Sequence, residues 1–229
     1  MSDIDSRTRL ILGDAAIEKL KASHVALFGL GGVGGYCLEA LVRGGVGALD
    51  LYDGDVFTTS NLNRQLLSST EVLGREKTSV AKERALSIRP DAKINTYQMF
   101  YLPEKADEID FSAYDYVIDA IDTVTAKISL IEQAKNANVP VISCMGAGNK
   151  KDPSAFHVSD ILQTSVCPLA KVMRKELKTR GIEKVKVVFS TEPAIRPKEQ
   201  SEKIGSLVTT VAAAGILLAN EVIMDLIRG

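Results

Sequence analysis

Apolar and polar positions follow two alternating periods along the chain. Five short runs are rich in β-branched and aromatic residues, and all but the third end in glycine or an acid: HVALFG (24–29), ALDLYD (48–53), INTYQMF (94–100), YDYVIDAID (114–122) and VPVISCMGAG (139–148). These read as strands. Between them, residues 36–45, 77–88 and 128–138 carry apolar side chains at helical spacing, with a glycine stop or a nearby proline closing the first two. A further helix is expected over 9–22. Strand–helix alternation of this kind predicts an α/β fold, a Rossmann-like and mostly parallel sheet with helices on both faces.

In such a sheet, functional groups collect at the carboxyl ends of the strands, near the point where the strand order reverses. Gly29, Asp53, Asp119 with Asp122, and Gly146 fall at four such ends. Residues 149–206 break the rhythm. They are rich in Lys, Pro and Ser, with one expected helix (168–179) and one strand (185–190), and read as an insertion that completes or covers the site. Residues 204–228 form a small-residue helix expected on the sheet or at a subunit contact. The whole chain, 1–229, then makes one domain, with a nucleotide-binding half over 1–148 and a substrate-side region with a C-terminal helix over 149–229.

Composition narrows this only slightly. The 229 residues carry a net charge of −1, so any nucleic-acid role must come from a local patch. Cys37, Cys144 and Cys167 form an odd set without a CxxC pair, which argues against a disulfide framework or a cysteine zinc site. The polar start MSDIDSRTRL lacks the apolar stretch of a signal peptide, and the most apolar segment, 207–219, is short for a bilayer span. The expectation is a cytoplasmic protein with no membrane partner. Cys37 and Cys144 are expected in the core, and Cys167, ahead of Pro168 at a helix start, as a partly exposed, inert thiol. His24 and His157 show no partner in the sequence and are expected to be structural.

GLGGVG places Gly29, Gly31, Gly32 and Gly34 between a strand and a helix. Such glycines permit a tight turn and close backbone approach to phosphate, and the helix N-terminus adds free N–H groups. Asp53, at the end of the next strand, suits a carboxylate bound to ribose hydroxyls, which leaves a dinucleotide open. The following stretch, DGDVFTTSNLNRQ (53–65), is odd for hydride transfer. Arg64 and Lys77 add two cations near the phosphate loop, which suits a triphosphate with charge moving to leaving pyrophosphate. Asp122 can hold Mg²⁺, a hard ion that takes carboxylate and phosphate oxygens together.

Taken together, GLGGVG, D-x-D-V-x-x-x-S-N-L-N-R-Q, G-R-E-K and D-A-I-D resemble the ThiF/MoeB/ubiquitin-activating family of ATP-dependent adenylating enzymes, over about residues 7–148. The resemblance implies that Gly31 and its neighbours Gly29, Gly32 and Gly34 contact phosphates and that Asp53 binds ribose. It implies that Asn61, Arg64 and Lys77 engage the triphosphate and that Asp122 ligates Mg²⁺. Arg9, in RTRL, matches an arginine that the family donates across a homodimer into the partner's ATP site, in the manner of an arginine finger. Arg9, Arg64, Lys77 and Asp122 are thus the catalytic candidates. Asp55 stays open between a ligand contact and a pairing with a local cation.

A second block, GAGNKKDPSAFHVSDILQTSVCPLAKVMRKELKTRG (146–181) with FSTE (189–192) and the prolines after it, resembles one bacterial branch, the tRNA threonylcarbamoyladenosine dehydratases. Cys167 departs from the acidic residue expected there. Between Lys171 and Lys186 lie seven basic residues against two acids, with Lys171, Arg174, Lys175 and Lys178 on one helical face and Arg180 close by. Such a patch suits phosphate-backbone contact. The branch implies ATP-driven cyclisation of a tRNA-linked threonylcarbamoyl group through an acyl-adenylate. The alternative is adenylation of the Gly-Gly tail of a ubiquitin-like sulfur carrier; a sulfur-transfer partner is left open. A non-catalytic nucleotide-binding module is the third reading.

Overall fold

The five expected strands form at His24–Phe28 (β1), Ala48–Tyr52 (β2), Lys93–Tyr97 (β3), Tyr116–Asp119 (β4) and Val141–Cys144 (β5) in a computed structural model that describes residues 4–195 and 204–228. Phe156–Asp160 (β6) and Lys186–Ser190 (β7) complete one seven-stranded sheet in the order β3–β2–β1–β4–β5–β7–β6. All pairs are parallel except β6 with β7. The chain first steps outward from β1 to β3 and then returns to place β4 on the other side of β1. The crevice therefore opens at the carboxyl ends of β1 and β4.

Helices Gly34–Gly44 (α3), Lys77–Ile88 (α4) and Val208–Arg228 (α7) cover one face; Val124–Asn136 (α5) and Pro168–Thr179 (α6) cover the other. Successive strand residues point to opposite faces. Val25 and Leu27 accordingly join the core beneath α3 and α7, while Ala26 and Phe28 join the one beneath α5 and α6. Burying both faces is what makes β1 an unbroken apolar run.

Four sequence expectations change. The helix over 9–22 is two helices, Ser6–Leu12 (α1) and Asp14–Ala22 (α2), broken at Gly13, whose φ of 81° is a left-handed value that glycine adopts freely. β6 had no strand signal, because FHVSD is a half-exposed edge strand carrying polar residues at its end. β4 stops at Asp119, so Asp122 sits on the loop beyond it. Finally, the apolar C-terminal helix has 21 residues, long and apolar enough by length and composition to span a bilayer. Its Thr210, Val211, Ala214, Gly215, Leu218, Ala219 and Val222 are buried in the fold instead, with Gly215 pressed so close to α3 that a Cβ there would overlap the Val33 carbonyl. Residues 196–203, between FSTE and this helix, lie outside the described residues and include one of the prolines noted above.

Candidate active site

The glycine loop begins where β1 ends. Gly29 has φ 93° and donates its N–H to the Tyr52 carbonyl (2.8 Å), tying the loop to the end of β2. A side chain on Gly34 would overlap the Gly29 carbonyl, so the turn into α3 closes only on glycine. Asp53 holds the loop from below: Oδ2 accepts the Leu30 N–H (2.6 Å) and Oδ1 the Asp55 N–H (2.8 Å). Gly32 lies under Val211 of α7 and the stem of Arg64, at 3.2 and 3.5 Å from the position its Cβ would take. The result is a bare backbone cradle at a helix N-terminus, flanked by the carboxylate and cations expected from the sequence.

The segment after Asp53 folds back over this cradle. Val56 bridges Glu76, Phe57 donates its N–H to Arg75, and a 3-10 turn forms at Thr59–Asn61. Asn61 is buried, its Oδ1 accepting the Thr58 N–H at 3.0 Å. Arg64 donates from Nη1 to the Ser60 carbonyl (2.7 Å) and to Asn63 Oδ1 (3.0 Å). Lys77 opens α4 and is buried, its Nζ 2.7 Å from Asp55 and 3.9 Å from Asp53. Of the two roles open to Asp55, the structure shows the pairing with a local cation.

Gln65 closes the stretch DGDVFTTSNLNRQ, yet its sequence position assigned it no role of its own. It is buried, its amide nitrogen is 3.9 Å from where a Cβ on Gly31 would lie, and its Oε1 has no hydrogen-bond partner among the described residues. The amide nitrogen is a donor close to the cradle, where a phosphate oxygen can accept from it, while the unpaired carbonyl oxygen is a cost to the fold. The available signal was a polar residue directly followed by Leu66 and Leu67.

At the end of β4 the two acids separate, though not by strand alternation, because the strand ends at Asp119 and Asp122 follows on the loop. Asp119 is fully buried against Lys127 (2.9 Å), while Asp122 is exposed on the loop. No group of three or more His, Cys, Asp or Glu suited to a metal exists among the described residues. A single strand-end carboxylate suits a hydrated ion that takes its other ligands from water and phosphate, so Asp122 fits Mg²⁺ with a nucleotide and no self-contained cage.

The other expected groups divide. Arg9 pairs with Asp14 of the same chain; α1 itself has no buried residue and exposes Leu10 and Ile11 beside Arg9. On α6, Lys171, Lys175 and Lys178 face solvent. Arg174 is turned inward, Nη1 donating to the Thr164 carbonyl (2.8 Å) and hydroxyl, and Arg180 pairs with Glu176 (2.8 Å) and Glu132 (3.2 Å). The solvent-facing cationic patch is therefore narrower than the charge count implies. The GAG and FSTE motifs, far apart in sequence, meet: the Glu192 carboxylate accepts the N–H groups of Lys151 and Asp152 (both 3.0 Å), and Lys150 Nζ donates to the Glu192 carbonyl.

Two minor expectations are corrected. Cys167 is buried rather than partly exposed, because its side chain lies against Gly146 under the start of α6. His24 does have a partner, Asp50 at 2.9 Å, which also accepts from Asn95 (2.8 Å) and Tyr114 (2.9 Å). Burial pushes the Cys144 thiol up to about 12, consistent with an inert core position.

A glycine cradle, the Asp53 carboxylate and two cations at one switch point define an α/β protein of the nucleotide-binding class. The chain belongs to the ThiF family, whose model matches residues 5–228. It is 37% identical over 239 residues to the tRNA threonylcarbamoyladenosine dehydratase of Bacillus subtilis, covering 97% of this chain and 94% of that one. It is similar to the crystal structure of the Escherichia coli tRNA N6-threonylcarbamoyladenosine dehydratase TcdA in complex with AMP, with TM-score 0.91, 32% identity, and 97% and 93% of the two chains covered. The ATP complex of the same E. coli protein superposes with TM-score 0.90 at 31% identity, with the same coverage. The adenylyltransferase and sulfurtransferase UBA4 of Candida glabrata is 34% identical over 143 residues, 62% of this chain and 33% of that protein.

Proposed function

We propose that the chain is an ATP-dependent tRNA threonylcarbamoyladenosine dehydratase acting in the cytoplasm. The observation that carries this reading is the bare glycine cradle with Asp53 below it and Arg64 and Lys77 beside it, in a chain of which 97% is matched by a dehydratase. The carboxylate of the tRNA-borne threonylcarbamoyl group forms a bond to the α-phosphorus, and the bond to the β-phosphate oxygen breaks. The carbamoyl group then attacks the activated carbonyl, closes a ring and expels AMP; its proton leaves with the solvent. Attack within one substrate side chain lets positioning supply much of the rate and needs no enzyme nucleophile, in keeping with three buried cysteines.

Gly29, Gly31, Gly32 and Gly34 would receive the phosphates on backbone N–H groups, Asp53 the ribose, and Asn61, Arg64 and Lys77 the triphosphate. On ATP binding, Lys77 would pass from Asp55 to the phosphates. Asp122 would hold Mg²⁺, which when bound neutralises charge on the triphosphate. Arg9, on an exposed helix beside Leu10 and Ile11, would act across a homodimer, and Lys171, Lys175 and Lys178 would meet the tRNA backbone. The sulfur-carrier alternative draws weaker support, because likeness to UBA4 covers only 62% of the chain. ATP–pyrophosphate exchange with threonylcarbamoylated tRNA as the only carboxylate donor tests the reading. Exchange, with loss of one water from the modified nucleoside by mass spectrometry, is expected; exchange that requires a Gly-Gly tail instead would replace it.

A further inference from the structure

Lys127 on α5 and Asp119 at the end of β4 form an ion pair that no solvent reaches on either side. Taking two charges out of water is costly, and their attraction offsets that only when the remaining hydrogen bonds are also made. Here most of the remaining bonds converge on one residue. Lys127 Nζ donates to Asp119 Oδ2 (2.9 Å) and to the Ile121 carbonyl (3.1 Å). Asp119 Oδ1 accepts the Ile121 N–H (3.1 Å), while Oδ2 also takes the Ser143 hydroxyl from β5 (2.5 Å). Both backbone polar groups of Ile121 are thus fixed by the pair, and the next residue is Asp122. One residue upstream, the Ala120 carbonyl is the surface on which Gly29 rests, 2.7 Å from where a Cβ on that glycine would lie. The turn between β4 and α5 is therefore clamped against the glycine loop on one side and against a buried charge pair on the other. Two apolar residues would fill this space as well and avoid the desolvation cost; they could not hold the N–H and C=O of Ile121.

We infer that Lys127 is a positioning residue for the nucleotide site: through Asp119 and the backbone of Ile121 it sets where the Asp122 carboxylate points. The inference rests on the reading of Asp122 as the magnesium-holding group. Mutating groups that orient a metal ligand typically costs about 10–100-fold in metal affinity or activity.

The test is ATP binding by calorimetry across a Mg²⁺ titration, with the thermal midpoint measured for each variant. Asp122→Asn and Lys127→Met are both expected to raise the Mg²⁺ concentration for half-maximal enhancement of ATP binding by about tenfold, with magnesium-free ATP affinity changed by less than about twofold. Lys127→Arg keeps a donor for Asp119 and the Ile121 carbonyl and is expected to recover part of the loss. If Lys127→Met fails to fold, the double variant Asp119→Leu/Lys127→Met removes both charges and with them the desolvation cost; it is expected to melt above Lys127→Met and still show the magnesium defect. Wild-type magnesium dependence in the folded Lys127→Met or double variant overturns the inference. Absence of any magnesium effect in Asp122→Asn instead removes the reading of Asp122 on which the inference stands.

Discussion

Lys77 and Asp55 form a 2.7 Å ion pair in which the lysine side chain is 5% exposed and the aspartate 52%. The cation is thus fixed beside the glycine loop before any ligand arrives, while its partner can rehydrate at small cost. Lys77→Ala is expected to reduce ATP–pyrophosphate exchange by about 10²–10³-fold, the effect of deleting one charge-stabilising donor. Asp55→Asn is expected to cost only about 1 kcal/mol of stability, as for half-exposed pairs, and to leave exchange largely intact. Exchange kinetics and urea melts on the two variants check this. Equal losses of exchange would mean Asp55 itself touches the nucleotide.

Gln65 makes a different kind of prediction. Its amide nitrogen lies near the phosphate cradle while its Oε1 is unpaired, and an unsatisfied buried acceptor costs about 1–3 kcal/mol. Gln65→Met, similar in volume, is expected to match or exceed wild-type stability while weakening ATP binding about fivefold, the worth of one hydrogen bond of about 1 kcal/mol. Thermal melts with and without ATP separate the two effects. A variant that is less stable yet binds ATP normally would assign Gln65 to the core alone.

The lysines and arginines of α6 are expected to behave unlike one another. Changing Lys171, Lys175 and Lys178 together to Gln should weaken tRNA binding and lower the dependence of log K on log salt by about two to three. Arg174→Gln should leave that slope unchanged and lower the melting temperature, because its guanidinium is bonded to Thr164. Filter binding over a salt series, paired with thermal melts, provides the comparison.

Asp50 sets an acid limit. Burial raises its pKa, but hydrogen bonds from His24, Asn95 and Tyr114 outweigh that and hold the carboxyl below its ordinary value of 3.8. A group depressed in the folded state contributes its full stability above the unfolded value, and that contribution is lost as pH falls through the folded one. Asp50→Asn is therefore expected to lower stability at neutral pH and to flatten the decline below about pH 4. Urea midpoints at pH 7 and at a series of acid pH values read both effects.

The sequence made the cradle legible because glycine spacing and strand ends are local features. Gly29, Asp53 and Arg64 needed only the strand–loop–helix pattern to be drawn together. β6 was invisible because an antiparallel edge strand is half wet and its residues resemble a loop. The inward turn of Arg174 and the His24–Asp50 contact were invisible for another reason: each depends on a partner supplied by a different element, Thr164 in one case and β2 in the other. The break at Gly13 was written in the sequence as a lone glycine, but helical spacing on both sides masked it.

Helix α7 presses Val211 onto Gly32 near its start, while Asp225 near its far end receives the Lys186 ammonium (2.6 Å) and the Tyr116 hydroxyl (2.8 Å). This strut follows every strand in the order of synthesis. The wall that backs the phosphate loop is therefore the last element to leave the ribosome, so ligand affinity should arrive as a late event in folding.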